Sequence, residues 1–365
     1  MEPFEAEFET YLFERYQKPS CRRTLSIFYM LKPVILRSWQ IMARRRIAKK
    51  SKQTFPGWPC EPYLEIKKRE MIKARETADE LPFIWFWPEG KRLVCALTHD
   101  IETEQGLDNV MKICTIEKKY GLRSSWNFVV EKYKIPLSLV DHLRQEGFEV
   151  GIHGLKHDGK LFSSRAIFDR RTARMKDYAE KMSAVGFRSP SLIRNAEWIK
   201  VLPFEYDSSF PDTDPFGPQP GGCLSVFPYF IGPLVELPVT LAQDHTLFEI
   251  LGHRDISVWQ QKLDWIEKMN GLALMIAHPD YMCTRERFRF YEEFLRYALA
   301  KNNIWFALPR DVCRWWKERD NSTIIGSGRN RSIAGPAQDK GTIAWLQCEN
   351  GVPAVRLGKS TIPFF

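Results

Sequence analysis

Three short stretches of this 365-residue chain carry side chains whose types and spacing could do chemistry. They are Thr98-His99-Asp100-Ile101-Glu102, His153-Gly154-Leu155-Lys156-His157 and Ala277-His278-Pro279-Asp280. Asp100 and Glu102 are two apart, so on an extended strand both carboxylates face one side and His99 the other. One carboxylate can bind a cation while its neighbour takes a proton. His153 and His157 are four apart, which sets two imidazoles side by side on a helical turn or in a tight loop. Two histidines, one carboxylate and an open position for water form a recurrent catalytic metal arrangement. With His278 as a third imidazole, the collection suits a divalent metal, a general base and a general acid.

Each stretch follows or closes an apolar run: Leu93–Leu97, Phe148–Ile152 and Leu272–Ile276. The pattern predicts strands over 93–101, 124–130, 148–153, 204–207, 234–239, 272–277 and 304–308. Helices are predicted over 108–120, 137–146, 164–185, 257–269, 285–300 and 310–319. Strands alternating with helices argue for βαβ units and a parallel sheet, closed or nearly so. The carboxyl ends of barrel strands share one mouth, which would bring the three stretches together. Residues 1–80 read as a basic helical arm, 81–320 as the barrel, and 321–365 as a small β appendage. In the tail, Asn350-Gly351 is a hairpin signal.

These residues resemble the polysaccharide deacetylases, the NodB-homology family. Members carry a Thr-Phe-Asp-Asp-Gly motif, a His-x-x-x-His motif, an Arg-x-x-Pro-like motif, an aspartate-containing fourth motif and a late Leu-x-His. The counterparts here are Thr98 to Glu102, His153 to His157, Arg188-Ser189-Pro190, Tyr206-Asp207-Ser208-Ser209 and Leu274 to His278. The match spans roughly residues 91 to 310, and it departs from the family in reading D-x-E at the first motif and in its shorter Arg-Ser-Pro. The resemblance implies a distorted (β/α) barrel that removes an acyl group from a sugar amide with a metal, most simply Zn²⁺. It implies Glu102, His153 and His157 as ligands, Asp100 as base, His278 as acid and Arg188 orienting Asp100. Asp207 would orient His278 or line the sugar pocket, or simply form a turn. Gln243-Asp244-His245, after the apolar stretch 235–241, could also reach the mouth.

The rest of the sequence bounds this reading. Hydrophobic residues at 44% suffice for a large core, and eight scattered cysteines without a C-x-x-C pair suggest free thiols in a reducing compartment. The acidic amino terminus lacks a signal pattern and no long apolar run occurs, so a cytoplasmic location is expected. Net charge is +9, concentrated between Glu14 and Glu61, where no acid interrupts twelve Lys and Arg residues. Interleaved with Trp39, Met42 and other apolar residues, this arm is either packing for the barrel or a peripheral contact with an anionic membrane. No nucleic-acid motif accompanies it. Trp85, Phe86 and Trp87 either stack on a sugar or pack the core. The expected substrate is an N-acetylated sugar or glycan precursor. The alternatives are a deformylase or non-sugar amide hydrolase on the same fold, and a catalytically silent glycan-binding or assembly protein.

Overall fold

A computed structural model of the chain describes residues 3–16, 37–50, 55–74, 80–349 and 352–363. The amino-terminal part contains α1 (Pro3–Leu12), α2 (Arg37–Lys50), α3 (Tyr63–Ala74) and β1 (Leu81–Ile84). The central part begins with β2 (Leu93–Ile101), α4 (Glu104–Lys119), β3 (Ser125–Phe128), α5 (Leu137–Gln145) and β4 (Glu149–Ile152). It continues through α6 (Arg165–Met182), β5 (Gly186–Phe187), α7 (Ala196–Ile199), β6 (Tyr206–Asp207), β7 (Tyr229–Ile231) and β8 (Leu234–Glu236). A π-helix (His245–Leu251), α8 (Ser257–Met269), β9 (Leu272–Ala277), α9 (Arg285–Leu299), β10 (Ile304–Phe306) and α10 (Pro309–Asp320) complete it. The tail holds β11 (Thr323–Ile325), β12 (Ser332–Ala334), β13 (Ile343–Glu349), β14 (Val352–Leu357) and β15 (Ser360–Pro363).

β2 is buried along all nine residues, as a central parallel strand covered on both faces should be. It pairs in parallel with β9 on one edge, and with β10 and then β3 on the other. From β3 the sheet runs through β4, β5, β6 and β8, all parallel, and ends on antiparallel β7. The chain after β8 returns to β9, where Leu241 N donates to Leu274 O at 3.0 Å. The result is a curled sheet closed by a strand-like segment, a distorted (β/α) barrel.

The covering helices owe their position to apolar stripes. In α9, Phe290, Tyr291, Phe294, Leu295 and Ala298 are buried, the spacing of one helical face. Thr284 caps that helix by accepting from Arg287 N at 3.3 Å. Truncating Phe294, which is fully buried, would cost about 3–5 kcal/mol.

One sequence expectation changes, and one pair of alternatives resolves to core packing. β1, assigned to the start of the barrel, instead pairs antiparallel with β13 and joins a four-stranded sheet with β14 and β15. Trp85 and Trp87 are fully buried on the side where strands begin, donating to Lys91 O and Asn270 O, so neither is placed to stack on a sugar. The Asn350-Gly351 turn lies outside the described residues, although the strands flanking it pair as a hairpin would. Most of the basic arm between 17 and 36 also lies outside them. Among the described residues no helix is long and apolar enough to cross a membrane.

Candidate metal centre and active site

The end of β2 presents Asp100 and Glu102 to one side and His99 to the other. On the far side His99 is closed off: its Nε2 sits 2.7 Å from Glu117 Oε1, and its ring stacks on Trp126 at 4.2 Å. On the near side, Glu102, His153 and His157 bring one ligand atom each to within 4.8 Å of one another. His153 and His157 lie in a tight loop after β4 rather than on a helix. That loop passes against Pro190, and Gly154 permits it: a Cβ there would stand 2.8 Å from the proline ring, and its φ is +69°.

The His153 imidazole is held by one nitrogen and open at the other. His153 Nδ1 lies 3.1 Å from Arg188 O, which leaves its Nε2 to face the cluster. Neither His153 Nε2 nor His157 Nε2 meets hydrogen-bond geometry, although both are buried and His157 Nε2 stands 2.9 Å from Glu102 Oε1. Orphaned buried nitrogens are costly unless something answers them, and a cation would answer both. Burial lowers the His153 imidazole to about 4, and the charge of Asp100 only partly offsets this, so the ring is neutral and its lone pair free. Burial would raise the Glu102 carboxyl, but the charges of His157 and His278 hold it well below its ordinary value. One anionic carboxylate and two imidazole nitrogens fit a divalent ion of the Zn²⁺ kind.

Asp100 stands beside this cluster, its Oδ2 3.9 Å from His153 Nε2. Its other oxygen accepts from Asn127 Nδ2 at 2.8 Å and from an Arg188 guanidinium nitrogen at 3.1 Å. Arg188 is itself fixed by Ser208 O, Ser208 Oγ and Thr98 Oγ1. Burial would raise the Asp100 carboxyl, yet Arg188 and the neighbouring histidines outweigh it and hold the group at about 2. Asp100 is therefore a carboxylate with one oxygen committed and one uncommitted.

Opposite, His278 Nε2 is 3.9 Å from Glu102 Oε1. Its Nδ1 is 2.6 Å from Asp244 Oδ1, and its backbone N donates to Asp244 Oδ2 at 2.8 Å. Burial would lower this imidazole; Asp244 outweighs it and raises the group to about 10. Asp244, which opens the π-helix, is thus the partner of His278. Asp207 is not: its carboxyl turns sideways from β6 to Glu236 on β8 and accepts from Ser209 Oγ at 2.6 Å. Burial raises Asp207 to about 6, and burial with its neighbour's charge raises Glu236 further, so the pair holds a proton. Both serve the backbone that carries Ser208 and Ser209 under Arg188.

Asn127 left no signal in the sequence, and Asp280 appeared there only as the end of the third stretch, with no role. Asn127 reaches Asp100 across the space left by Gly151, where a Cβ would stand 2.1 Å from the amide oxygen. Asp280 accepts from Glu102 N at 2.8 Å and from Thr103 Oγ1, fixing the backbone that presents Glu102. At the rim, α2 meets the π-helix: Arg44 approaches His245 Nδ1 at 3.5 Å, and Arg45 Nε donates to Glu249 O at 2.8 Å.

No family model matches the chain, and no curated protein matches it. Among solved structures it is similar to a candidate polysaccharide deacetylase from Mycobacterium smegmatis, with TM-score 0.53 and 19% identity over 66% of this chain and 96% of that one. A probable polysaccharide deacetylase from Pseudomonas aeruginosa PAO1 matches with TM-score 0.51 and 16% identity, over 64% of this chain and 93% of that one. The Puue allantoinase matches with TM-score 0.51 and 14% identity, over 63% and 92%. The chain has the fold these proteins share, the distorted barrel of the polysaccharide deacetylases.

Proposed function

We propose that this protein is a metal-dependent hydrolase that removes the N-acetyl group from a sugar of a glycan or glycan precursor. The reading rests on one juxtaposition: the Glu102, His153 and His157 ligand atoms lie between the uncommitted oxygen of Asp100 and the Asp244-backed imidazole of His278. A Zn²⁺-like ion held by those three residues would supply a polarised amide carbonyl and a more acidic water.

The protein's own groups then divide the proton work. Asp100 Oδ2 takes the proton of the attacking water, while Asn127 and Arg188 hold its other oxygen and keep the group ionised. Attack makes a tetrahedral carbon bearing the sugar nitrogen. His278 Nε2 gives that nitrogen a proton, the C–N bond breaks, and acetate and a free amine leave. Without the proton an amine is a very poor leaving group. Asp244 orients the ring and stabilises its charged form.

The test is metal quantification of purified protein coupled to acetate release from N-acetylated sugar nucleotides and lipid-linked sugars. Chelation should abolish release and added divalent metal restore it. Full activity of Asp100→Asn would refute the assignment. The match to an allantoinase favours one second reading, hydrolysis of a non-sugar amide on the same machinery. Turnover of allantoin without acetate release from any sugar would favour it, and formate in place of acetate would identify a deformylase.

We also propose that substrate is met at an anionic membrane surface. In α2, Trp39, Met42, Ala43 and Arg46 share one exposed face, and Ile41, Arg44 and Ala48 line the partly covered one. Trp39 is 63% and Ile47 69% exposed, a poor arrangement for water and a good one for a lipid interface. Because Arg44 and Arg45 tether this helix beside the π-helix that supplies Asp244, a bound surface would lie next to the mouth. Sedimentation with phosphatidylglycerol vesicles, but not phosphatidylcholine vesicles, is expected, and Trp39→Ala with Ile47→Ala should reduce it. Equal binding to both vesicle types would overturn this part.

A further inference from the structure

A second cavity, of about 510 Å³, opens where the additions to the barrel meet. Leu12 from α1, Leu64 and Met71 from α3, Leu81 from β1, Phe227 and Leu346 line it, so both the amino-terminal arm and the tail sheet build its walls. Its volume falls within the range of small-molecule sites, roughly 300–1,000 Å³.

The lining also contains a charge that the protein leaves unanswered. Arg319 Nε donates to Ile84 O at 3.1 Å and to Trp85 O at 3.2 Å, and the guanidinium lies over the rings of Phe86 and Trp316. Among the described residues no carboxylate lies within 4 Å of it. Burial pulls the group down to about 10, more than the charge of the neighbouring Asp320 raises it. Lys68, on the same lining, does have an acid, Glu65 Oε1 at 3.7 Å. A half-buried guanidinium held by backbone and aromatic rings, with no acid of its own, is costly unless an anion comes from outside.

We propose that this cavity binds an anionic single-chain amphiphile of the fatty-acid class, with the tail among the apolar side chains and the carboxylate on Arg319. The pairing of an apolar enclosure with one unanswered cation selects this ligand over a neutral lipid or a polar metabolite. It does not depend on the reading of the catalytic mouth.

The test is equilibrium titration of the full chain with monomeric laurate, with dodecanol and dodecyl phosphate as comparisons. Saturable laurate binding is expected, with dodecanol weaker by about tenfold or more for lack of a charge-assisted hydrogen bond. Arg319→Gln should erase the difference between laurate and dodecanol, and Arg319→Lys should retain much of it. Leu346→Trp, or Met71→Trp should the first variant fail to fold, should block both ligands. Thermal unfolding and metal content of each variant serve as fold controls. Tighter binding of dodecyl phosphate would support the same site and identify a phosphate headgroup as the source. Absence of saturable binding to the folded wild-type chain, or equal binding of laurate and dodecanol, overturns the proposal.

Discussion

The two sides of β2 carry buried histidines under opposite conditions. Behind the strand, His99 is fully buried, and Glu117 answers its Nε2 while Glu117 is in turn held by Ser124 and Tyr291. In front, His153 and His157 are buried as well, yet His153 Nε2 has no partner and His157 Nε2 has only Glu102 Oε1, at 2.9 Å and outside hydrogen-bond geometry. Burial therefore does not separate an imidazole that only supports the fold from one that could hold a cation in this molecule. What separates them is whether the surroundings already satisfy each nitrogen. A satisfied histidine adds stability and can do little else, whereas an unsatisfied one pays in stability for an available lone pair.

The comparison breaks most sharply at Asp100, which shares the front of the strand. Asp100→Asn keeps the shape and the contacts of the committed oxygen but removes the base. The expected loss is about 10³-fold in turnover, the scale of a positioned general base. Metal content and thermal stability should stay close to wild type. A variant that loses its fold along with its rate would show that Asp100 acts mainly through its ion pair with Arg188.

The histidines themselves give the next test. His99→Ala removes a stacked ring and leaves Glu117 short of a partner, a cost of about 3 kcal/mol in unfolding experiments. Its folded fraction should bind metal and turn over normally. His153→Ala should do the reverse: metal content falls strongly while the metal-free protein unfolds close to the wild-type temperature. If both variants lose stability equally and His153→Ala retains metal, the distinction between the two sides of β2 fails.

Much of this arrangement was legible because the barrel is built on strong periodicities. β2, β9 and α8 fall where the apolar patterns set them, since long buried elements leave little choice of register. Two-residue and three-residue strands such as β5 and β7 bury too few side chains to leave a pattern, and the π-helix has no sequence signature of its own. Within the site, residue types near strand ends marked Asp100, Glu102, His153, His157, Arg188 and His278, and the structure brings all six to one mouth. Partnerships between elements were not legible. Along the chain Asp207 reads as the group to orient His278, and Asp244 only as part of a stretch that could reach the mouth. Only the sheet register, which sets Asp207 against Glu236, removes the first and leaves the second.

His278 combines both conditions in one ring, because Nδ1 is answered by Asp244 and Nε2 faces the cluster. A smaller and more diagnostic effect follows from that asymmetry. An imidazole works as an acid only in its protonated form, which is present below its pKa and lost as pH rises through it. Burial lowers His278 and Asp244 more than offsets this, to about 10, so in the wild type the acid should persist through neutrality and fail only near that pH. Asp244→Asn keeps a hydrogen bond to Nδ1 but removes the charge, leaving burial to pull the group down. The alkaline limb of the pH–rate profile should therefore move to lower pH, with turnover near neutrality falling by about tenfold and activity at acidic pH much less affected. A uniform loss across all pH values would mean that Asp244 only positions the backbone of His278, through its second bond to the amide, and does not set the charge of the ring.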